Sequence, residues 1–227
     1  MPGLFIITGS NGAGKSTIGY TYLPEDIQKK YSVFDGDKLV LVKKRELSQK
    51  IRSFKEAGKL AEEWMYSQFL EQTKTAIKNA DHFAYEGHFR DEATLKIPKK
   101  FKKKGYRISL IFMGLSDPHQ SELRVLDRAT QGGHNVPLYE IQSNFYGNLV
   151  MLNKNYKLFD DLLIIDTSKS FRHEVLMQMS NRELSFYTEQ KNLPAWFIEF
   201  LPKLTKIIQD EEKRQKKKDR PLGICMP

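Results

Sequence analysis

The chain has 227 residues, of which 40% are hydrophobic and 11% aromatic. This length and composition suit one globular domain with a substantial core and exclude an intrinsically disordered protein. A single cysteine, Cys225, excludes an internal disulfide and a multi-cysteine metal site. No apolar run reaches the ~18 residues of a membrane span, and the apolar run that starts at Gly3 leaves no room for a signal peptide. We therefore expect a cytoplasmic protein with no membrane segment.

The formal net charge of +9 is concentrated in two segments. Residues 96–107 contain seven basic residues and no acidic one, and residues 211–220 contain six basic and three acidic residues. This pattern favours a solvated helix face and a basic tail, and nucleic-acid binding stays open as the less favoured alternative. We expect residues 1–210 to form a single domain and residues 211–227 to form a basic, poorly ordered tail.

Apolar runs with strand character alternate with helical segments along the chain. The predicted strands are Leu4–Thr8, Ser32–Asp35, His82–Glu86, Arg107–Met113 and Leu162–Asp166. A helix is predicted over Ala57–Ala80, where Trp64, Met65 and Phe69 recur at helical spacing and are interpreted as core residues. Another helix is predicted to begin at Pro118. The alternation predicts an α/β fold with a doubly wound, mainly parallel sheet of about five strands and helices on both faces.

The glycine-rich segment GSNGAGKS after the first predicted strand matches the G-x-x-x-x-G-K-[ST] pattern in full. The required context, a strand before it and a helix after it, is also predicted. Lys15 is expected to reach the β- and γ-phosphates of ATP, and Ser16 to bind Mg²⁺ through its hydroxyl. The pattern therefore predicts a three-layer P-loop NTPase fold and a nucleotide site. Its residues are Gly9, Ser10, Asn11, Gly12, Ala13, Gly14, Lys15, Ser16 and Thr17.

Acidic residues follow the second and third predicted strands, where ligands bind in doubly wound folds. A kinase needs a carboxylate that orients the acceptor hydroxyl and takes its proton, and Asp37 is favoured over Asp35 for that role. An Asp-Gly turn is the alternative. Asp35, Glu86, His88 and Arg90 are expected to contact the acceptor, with Glu86 holding it or supporting Mg²⁺ through water. The alternatives are a helix-capping role for Glu86 and a structural hydrogen-bonding role for His88.

Arg124 and Arg128 lie one helical turn apart and precede the glycine pair at residues 132–133. Arginines on a mobile segment can close on a triphosphate and neutralise the charge that develops during transfer. We expect a lid at about residues 117–137, in which both arginines contact ATP and Arg128 takes part in catalysis. A solvated helix face with ion pairs to neighbouring carboxylates is the alternative.

Several segments, taken together and in this order, resemble the zeta-toxin-like P-loop kinases over residues 3–168. The segments are GSNGAGKST, DGDKL, YEGHF, LDRATQGGHNVP, YEIQSNFYGNLVML and LLIIDTS. The resemblance implies a kinase that transfers the γ-phosphate of ATP, with Mg²⁺, to a hydroxyl of a small metabolite. In the best-known members that acceptor is UDP-N-acetylglucosamine, and an antitoxin protein is the partner.

The resemblance also implies roles for single residues. Lys15 and Ser16 match the ATP and Mg²⁺ residues, Asp37 the catalytic base, Glu86 an acceptor-side carboxylate and Arg128 a lid arginine. One difference is that relatives usually carry arginines in the helix after GGH-x-VP, where this chain has Gln, Ser and Asn at 142–144. Two other functions remain open: a nucleotide-dependent nucleic-acid-binding protein and an ATP-binding regulatory module with little turnover.

Overall fold

A computed structural model of the chain describes residues 1–130, 136–170 and 172–218, which form seven strands and nine α-helices. The strands are β1 (Gly3–Gly9), β2 (Val33–Asp35), β3 (Phe83–Glu86), β4 (Arg107–Gly114), β5 (Asp161–Asp166), β6 (Glu174–Ser180) and β7 (Glu183–Tyr187). The helices are α1 (Lys15–Ile18), α2 (Glu25–Lys30), α3 (Gly36–Ser48), α4 (Phe54–Asn79), α5 (Lys96–Lys103), α6 (Pro118–Thr130), α7 (Leu138–Asn155), α8 (Ala195–Phe200) and α9 (Pro202–Lys218).

All seven strands belong to one sheet with the order β2-β3-β1-β4-β5-β6-β7. The first five strands run parallel, which confirms the predicted α/β fold, whereas β6 and β7 add an antiparallel hairpin. The prediction of about five strands was therefore two short. The hairpin turns at Asn181 and Arg182, both with positive φ of 53° and 67°. The second turn residue is arginine instead of glycine, so the usual hairpin signal is missing.

The central strands are apolar over most of their length because helices cover both faces of the sheet. Every residue of β1 is buried, and its neighbour β4 is buried over Leu110–Gly114. Leu4, Ile6 and Ile164 are fully inaccessible to solvent. This core fixes the carboxyl ends of β1, β2 and β3 side by side.

The predicted helix over residues 57–80 is observed as α4, but its apolar residues are not all core residues. Met65 and Phe69 are half-buried and pack against the core from one side. Trp64 is also half-buried, and its ring lies 5.1 Å from the Lys43 ammonium. The interpretation of all three as core was too strong, because helical spacing does not distinguish a filled interior from the wall of a cavity.

The last helix, α9, runs through the boundary that we expected near residue 210 and ends at Lys218. Leu204 and Ile208 bury one side of it, and the Glu212 carboxylate accepts a hydrogen bond from the backbone N–H of Gln190 at 2.8 Å. Residues 211–218 are therefore helical, and the remainder of the predicted tail lies outside the described residues. Within the described part of the chain, every helix is too short or too polar to cross a bilayer.

Candidate nucleotide-binding and active site

The P-loop connects β1 to α1 and depends on glycine at its first position. Gly9 has φ of 145°, and a Cβ there would lie 2.2 Å from the carbonyl oxygen of Met113. Gly14 has φ of 89° immediately before α1. That helix has only four residues and continues as a 3₁₀ turn over Gly19–Tyr22. The helix dipole is therefore small, so the anion-binding capacity rests mainly on the N–H groups of the loop.

Lys15 is buried inside the loop that it serves. Its ammonium donates hydrogen bonds to the carbonyl oxygens of Gly9 at 3.1 Å and Ser10 at 3.0 Å. Burial lowers the pKa of Lys15, although the carboxylates of Glu86 and Asp37 oppose this shift. The side chain thus lies among acidic groups, in the place where phosphate oxygens would meet it.

Side chains of α6 and α7 hold the P-loop from behind. The Ser121 hydroxyl donates to the Asn11 carbonyl, and the Asn144 amide donates to the Asn11 side-chain oxygen at 2.9 Å. Both partners are buried. Asn144 therefore positions the loop.

Asn148, one turn further along α7, connects the P-loop to the loop after β3. It is 1% exposed, and its side-chain oxygen accepts from the Thr8 hydroxyl at 3.0 Å and from the N–H of Phe89. Its amide nitrogen lies 3.2 Å from Nδ1 of His88 and 3.4 Å from the Gly9 carbonyl oxygen. A single buried amide therefore couples the two halves of the site. Sequence reasoning missed it because, apart from the Asn144 carbonyl in the same helix, its partners lie 59 to 140 residues away along the chain.

The surroundings of His88 favour a structural role for its side chain. Burial, followed by the nearby Lys15 ammonium, lowers the pKa of His88 well below its usual value. The ring is therefore neutral at physiological pH, and its Nδ1 accepts from Asn148. Arg90, two residues further on, is exposed and lies 3.8 Å from the Asp91 carboxylate.

Glu86 ends β3 and lies beside both β1 and β2, in register with Ile7 and Asp35. The Ser16 hydroxyl donates a hydrogen bond to it at 2.8 Å. Burial raises the pKa of Glu86 above its usual value, and the nearby Lys15 ammonium offsets part of this increase. The third strand thus delivers a carboxylate to the P-loop; the predicted contact of Glu86 with an acceptor stays a prediction.

Asp35 and Asp37 have different environments. The Asp35 carboxylate is the N-cap of α3 and accepts from the N–H of Lys38 at 3.0 Å. Asp37 lies in the first turn of the same helix and is exposed, and no group among the described residues donates a hydrogen bond to it. Both act electrostatically on Lys15. Asp37 is therefore the carboxylate that is available to an incoming hydroxyl.

The donor atoms around Ser16 suit Mg²⁺ bound with a nucleotide. The described residues contain no group of three or more His, Cys, Asp or Glu side chains that could hold a metal by themselves. A hydroxyl and carboxylates are the hard oxygen ligands that Mg²⁺ prefers, and it usually takes one or two of them together with phosphates and water. Ser16, supported by Glu86, fits that pattern.

The two lid arginines also differ. Arg124 on α6 donates to the Gly12 carbonyl oxygen at 3.2 Å and to those of Thr167 at 2.8 Å and Ser168 at 3.0 Å. It therefore joins the P-loop to the end of β5. Arg128 is exposed one turn later and is close enough to lower the pKa of Lys15. The predicted glycine hinge and His134 lie outside the described residues.

Two cavities meet at Lys15, Asp35, Asp37 and Glu86. One, of about 470 Å³, is lined by the P-loop, Arg124 and Arg128. The other, of about 460 Å³, is lined by residues of β2, α4 and the loop after β3, including His88 and Arg90. The site thus has a phosphate side and an opposite side, with the acidic residues between them.

Comparison with known proteins supports the fold described above. No curated protein matched the chain. A chain of the AvrRxo1-ORF1:AvrRxo1-ORF2 complex, solved with sulphate ions and also with ATP, is similar in fold with a TM-score of 0.63 and 15% identity. The match covers 92% of this chain and 64% of that one, so the present chain spans less than two thirds of its relative.

A structure of the PezAT chromosomal toxin-antitoxin system of Streptococcus pneumoniae is also similar, with a TM-score of 0.59, 19% identity, and coverage of 96% of this chain and 86% of that one. The family model for zeta toxin matches residues 1–188. The match includes the P-loop, both acidic strand ends, the arginine helix and α7. The chain is therefore a member of the zeta toxin family.

Proposed function

We propose that this protein is an ATP-dependent phosphotransferase that moves the γ-phosphate of ATP to a hydroxyl of a small metabolite. The observation that carries the proposal is the convergence of a complete P-loop and an exposed carboxylate, Asp37, on one point between two cavities. Membership of the zeta toxin family supports it. The family resemblance suggests a nucleotide sugar such as UDP-N-acetylglucosamine as a first acceptor to test.

In the proposed mechanism, the loop N–H groups and Lys15 bind the β- and γ-phosphates. Ser16 would hold Mg²⁺, which supplies charge neutralisation when bound, and Glu86 orients the Ser16 hydroxyl through their hydrogen bond. The oxygen of the acceptor hydroxyl bonds to the γ-phosphorus, and the bond between that phosphorus and the leaving ADP breaks. Asp37 accepts the proton that the hydroxyl loses. Arg128 stabilises the negative charge on the transferring group.

The experiment is incubation with γ-labelled ATP and Mg²⁺ and a panel of sugars, nucleosides and nucleotide sugars, scored for labelled product. We expect Lys15→Ala to reduce transfer at least ~10²–10³-fold, because it removes a charge aimed at the phosphates. Lys29→Ala, at an exposed ion pair on α2, is the matched control and should transfer normally. Transfer by Lys15→Ala at the wild-type rate would refute the mechanism.

The basic segment 96–107 gives little support to the alternative of nucleic-acid binding. Lys102 lies 2.9 Å from Asp160, Lys99 lies 3.2 Å from Glu92, and Arg107 pairs with Asp161. Part of the positive charge is therefore neutralised within the fold. A salt titration tests this, because a polyanion-binding protein loses affinity steeply as salt rises.

We also propose an antitoxin-type protein partner, because the PezAT structure comes from a toxin-antitoxin system. If the chain acts as a toxin, its expression in bacteria should stop growth, whereas expression of Lys15→Ala should not. Equal growth with both would argue against the toxin role while leaving the phosphotransferase activity to the labelling assay.

A further inference from the structure

The cavity on the acceptor side of the site has an apolar wall beside its acidic end. It is lined by Phe34, Met65, Tyr66, Phe69, Tyr85 and Phe89, and it reaches Asp37 and Glu86. Its volume of about 460 Å³ suits a small molecule. A phosphate acceptor made only of hydroxyl groups would leave this apolar wall without a matching surface.

The wall is built by packing between aromatic rings, so it exists before any ligand binds. The Phe69 ring centroid lies 5.1 Å from that of Phe34 and 5.3 Å from that of Tyr85. Phe34 and Tyr85 are buried on strand ends, whereas Phe69 and Met65 are half-buried on α4. A planar ring can stack on such a surface whatever its hydrogen-bonding pattern.

The charges that line the cavity disfavour an anionic acceptor. Four carboxylates, those of Asp35, Asp37, Glu86 and Asp91, face three cations, those of Lys15, Arg90 and Lys96. In the proposed function the Lys15 ammonium is occupied by the phosphates of ATP, and the Arg90 guanidinium lies 3.8 Å from the Asp91 carboxylate. A diphosphate placed here would therefore meet an excess of like charge.

Tyr85 offers a polar contact within the apolar wall. The residue is only 6% exposed, and in the described part of the chain its hydroxyl has no hydrogen-bond partner. The hydroxyl is not one of the polar atoms that are fully buried without a partner, so it is accessible to a ligand in the cavity. Ring nitrogens and carbonyl oxygens of a nucleobase can accept a hydrogen bond from it.

We propose, resting on the proposed function, that the acceptor is an uncharged alcohol that carries a planar ring, with nucleosides as the model compounds. The ring stacks against Phe69 and Met65, and the hydroxyl lies at Asp37. The acceptor oxygen bonds to the γ-phosphorus, the bond between that phosphorus and the bridging oxygen of ADP breaks, and the proton passes to the Asp37 carboxylate. Nucleotide sugars are therefore disfavoured as acceptors, because the charges of the cavity disfavour their diphosphate.

The test compares acceptors that differ in one property, with γ-labelled ATP and direct identification of the labelled product. The common nucleosides are compared with their own 5′-diphosphates, with UDP-N-acetylglucosamine and with free ribose. We expect at least one nucleoside to be phosphorylated with kcat/KM at least 10-fold above both its diphosphate and ribose. A preference for the diphosphate or the nucleotide sugar, or equal use of ribose, would overturn the proposal while leaving the kinase activity established.

Variants of Tyr66 test the same proposal without disturbing the fold, because this cavity residue is 60% exposed. Tyr66→Ala should raise the KM for the nucleoside several-fold with no change in the KM for ATP. Tyr66→Arg should move the preference towards the diphosphate at least 10-fold by adding a cation to the wall. Tyr139→Ala and Tyr139→Arg, at a residue 74% exposed on α7 and outside the cavity, are the controls.

The outcomes separate the two proposals. Transfer to a nucleotide sugar, with no effect of Tyr66→Arg on acceptor preference, refutes the acceptor class alone. The absence of Lys15-dependent transfer to any member of the panel refutes the phosphotransferase proposal, and the acceptor class falls with it.

Discussion

The Ser16 hydroxyl donates a hydrogen bond of 2.8 Å to the Glu86 carboxylate, across 70 residues of sequence. The bond joins the last part of the P-loop to the carboxyl end of β3. Since the proton points to Glu86, the lone pairs of the Ser16 oxygen are directed elsewhere, as a metal ligand requires. We infer that Glu86 sets the orientation of the Ser16 hydroxyl.

Glu86→Gln tests this relationship. The amide oxygen can still accept from Ser16, but the charge is lost, so we expect kcat to fall about 10-fold. Since burial raises the pKa of Glu86 above 4.5, wild-type activity should decline on the acid side at a pH above that value, and this decline should be absent in the variant. A pH profile of kcat measures both effects.

Glu86→Gln is expected to lower kcat but not to lower the stability of the fold. A carboxyl group whose pKa is raised by folding binds its proton more tightly in the folded protein, so ionisation at pH 7 destabilises the fold. Thermal unfolding of Glu86→Gln at pH 7 should therefore give a Tm at least equal to that of the wild type. A clear drop in Tm would mean that the charge is needed for folding instead of turnover.

Asp35 and Asp37 should separate into a structural and a catalytic role. Asp35→Ala removes the N-cap of α3 and should lower the free energy of unfolding by about 1 kcal/mol. Asp37→Asn should reduce kcat about 10²–10⁴-fold with little change in stability or in the KM for ATP. Urea unfolding and steady-state kinetics on both variants decide the assignment, and a larger loss of kcat in Asp35→Ala would reverse it.

Arg124 and Arg128 should affect different kinetic constants. Arg124→Ala removes three hydrogen bonds that fasten Gly12 to the end of β5, so we expect the KM for ATP to rise about 10-fold with a smaller change in kcat. Arg128→Ala should mainly reduce kcat, by about 10²-fold or more, if this residue stabilises the transferring group. Identical kinetic changes in the two variants would contradict separate roles.

Asn148 should be a large contributor to stability for a single polar residue. Asn148→Asp keeps the acceptor for Thr8 and Phe89 but places a buried negative charge where the amide donated, so we expect the free energy of unfolding to fall by about 2–4 kcal/mol. Asn155→Asp is the matched control, because within the described residues its amide donates to the Met151 carbonyl oxygen of the same helix and to no other group. Comparable losses in both variants would show that Asn148 is not a special connection.

Asp160 should make the fold sensitive to acid. Burial would raise the pKa of Asp160, but hydrogen bonds from the N–H of Ile108 and from Lys102 outweigh that effect and hold it below 3.8. Its contribution is therefore complete above that pH and is lost as pH falls through the lower, folded-state pKa. Asp160→Asn should reduce the free energy of unfolding at pH 7 by roughly 1–2 kcal/mol and weaken the pH dependence below pH 4. Glu46→Gln, at an exposed ion pair that solvent screens, should have a much smaller effect on both.

The sequence was informative wherever one local pattern determined the structure. The five parallel strands, the P-loop and Glu86 at the end of β3 could be predicted because periodicity and glycine spacing are local properties. Asn144 and Asn148 could not, since an asparagine within a helix shows no sign of a partner more than a hundred residues away. The length of α9 was missed because the charge of residues 211–218 suggested a disordered tail, whereas the helix is held by Leu204 and Ile208 upstream and continues into solvent.

The position of Lys15 has a thermodynamic consequence for ligand affinity. Its ammonium has already left water in the folded protein and rests on two backbone carbonyls of its own loop. The dehydration of that charge is therefore part of the free energy of folding and is not repeated when phosphate arrives. When the ammonium exchanges the two neutral carbonyl oxygens for anionic phosphate oxygens, the change in enthalpy is favourable. The loop loses little conformational entropy in this exchange.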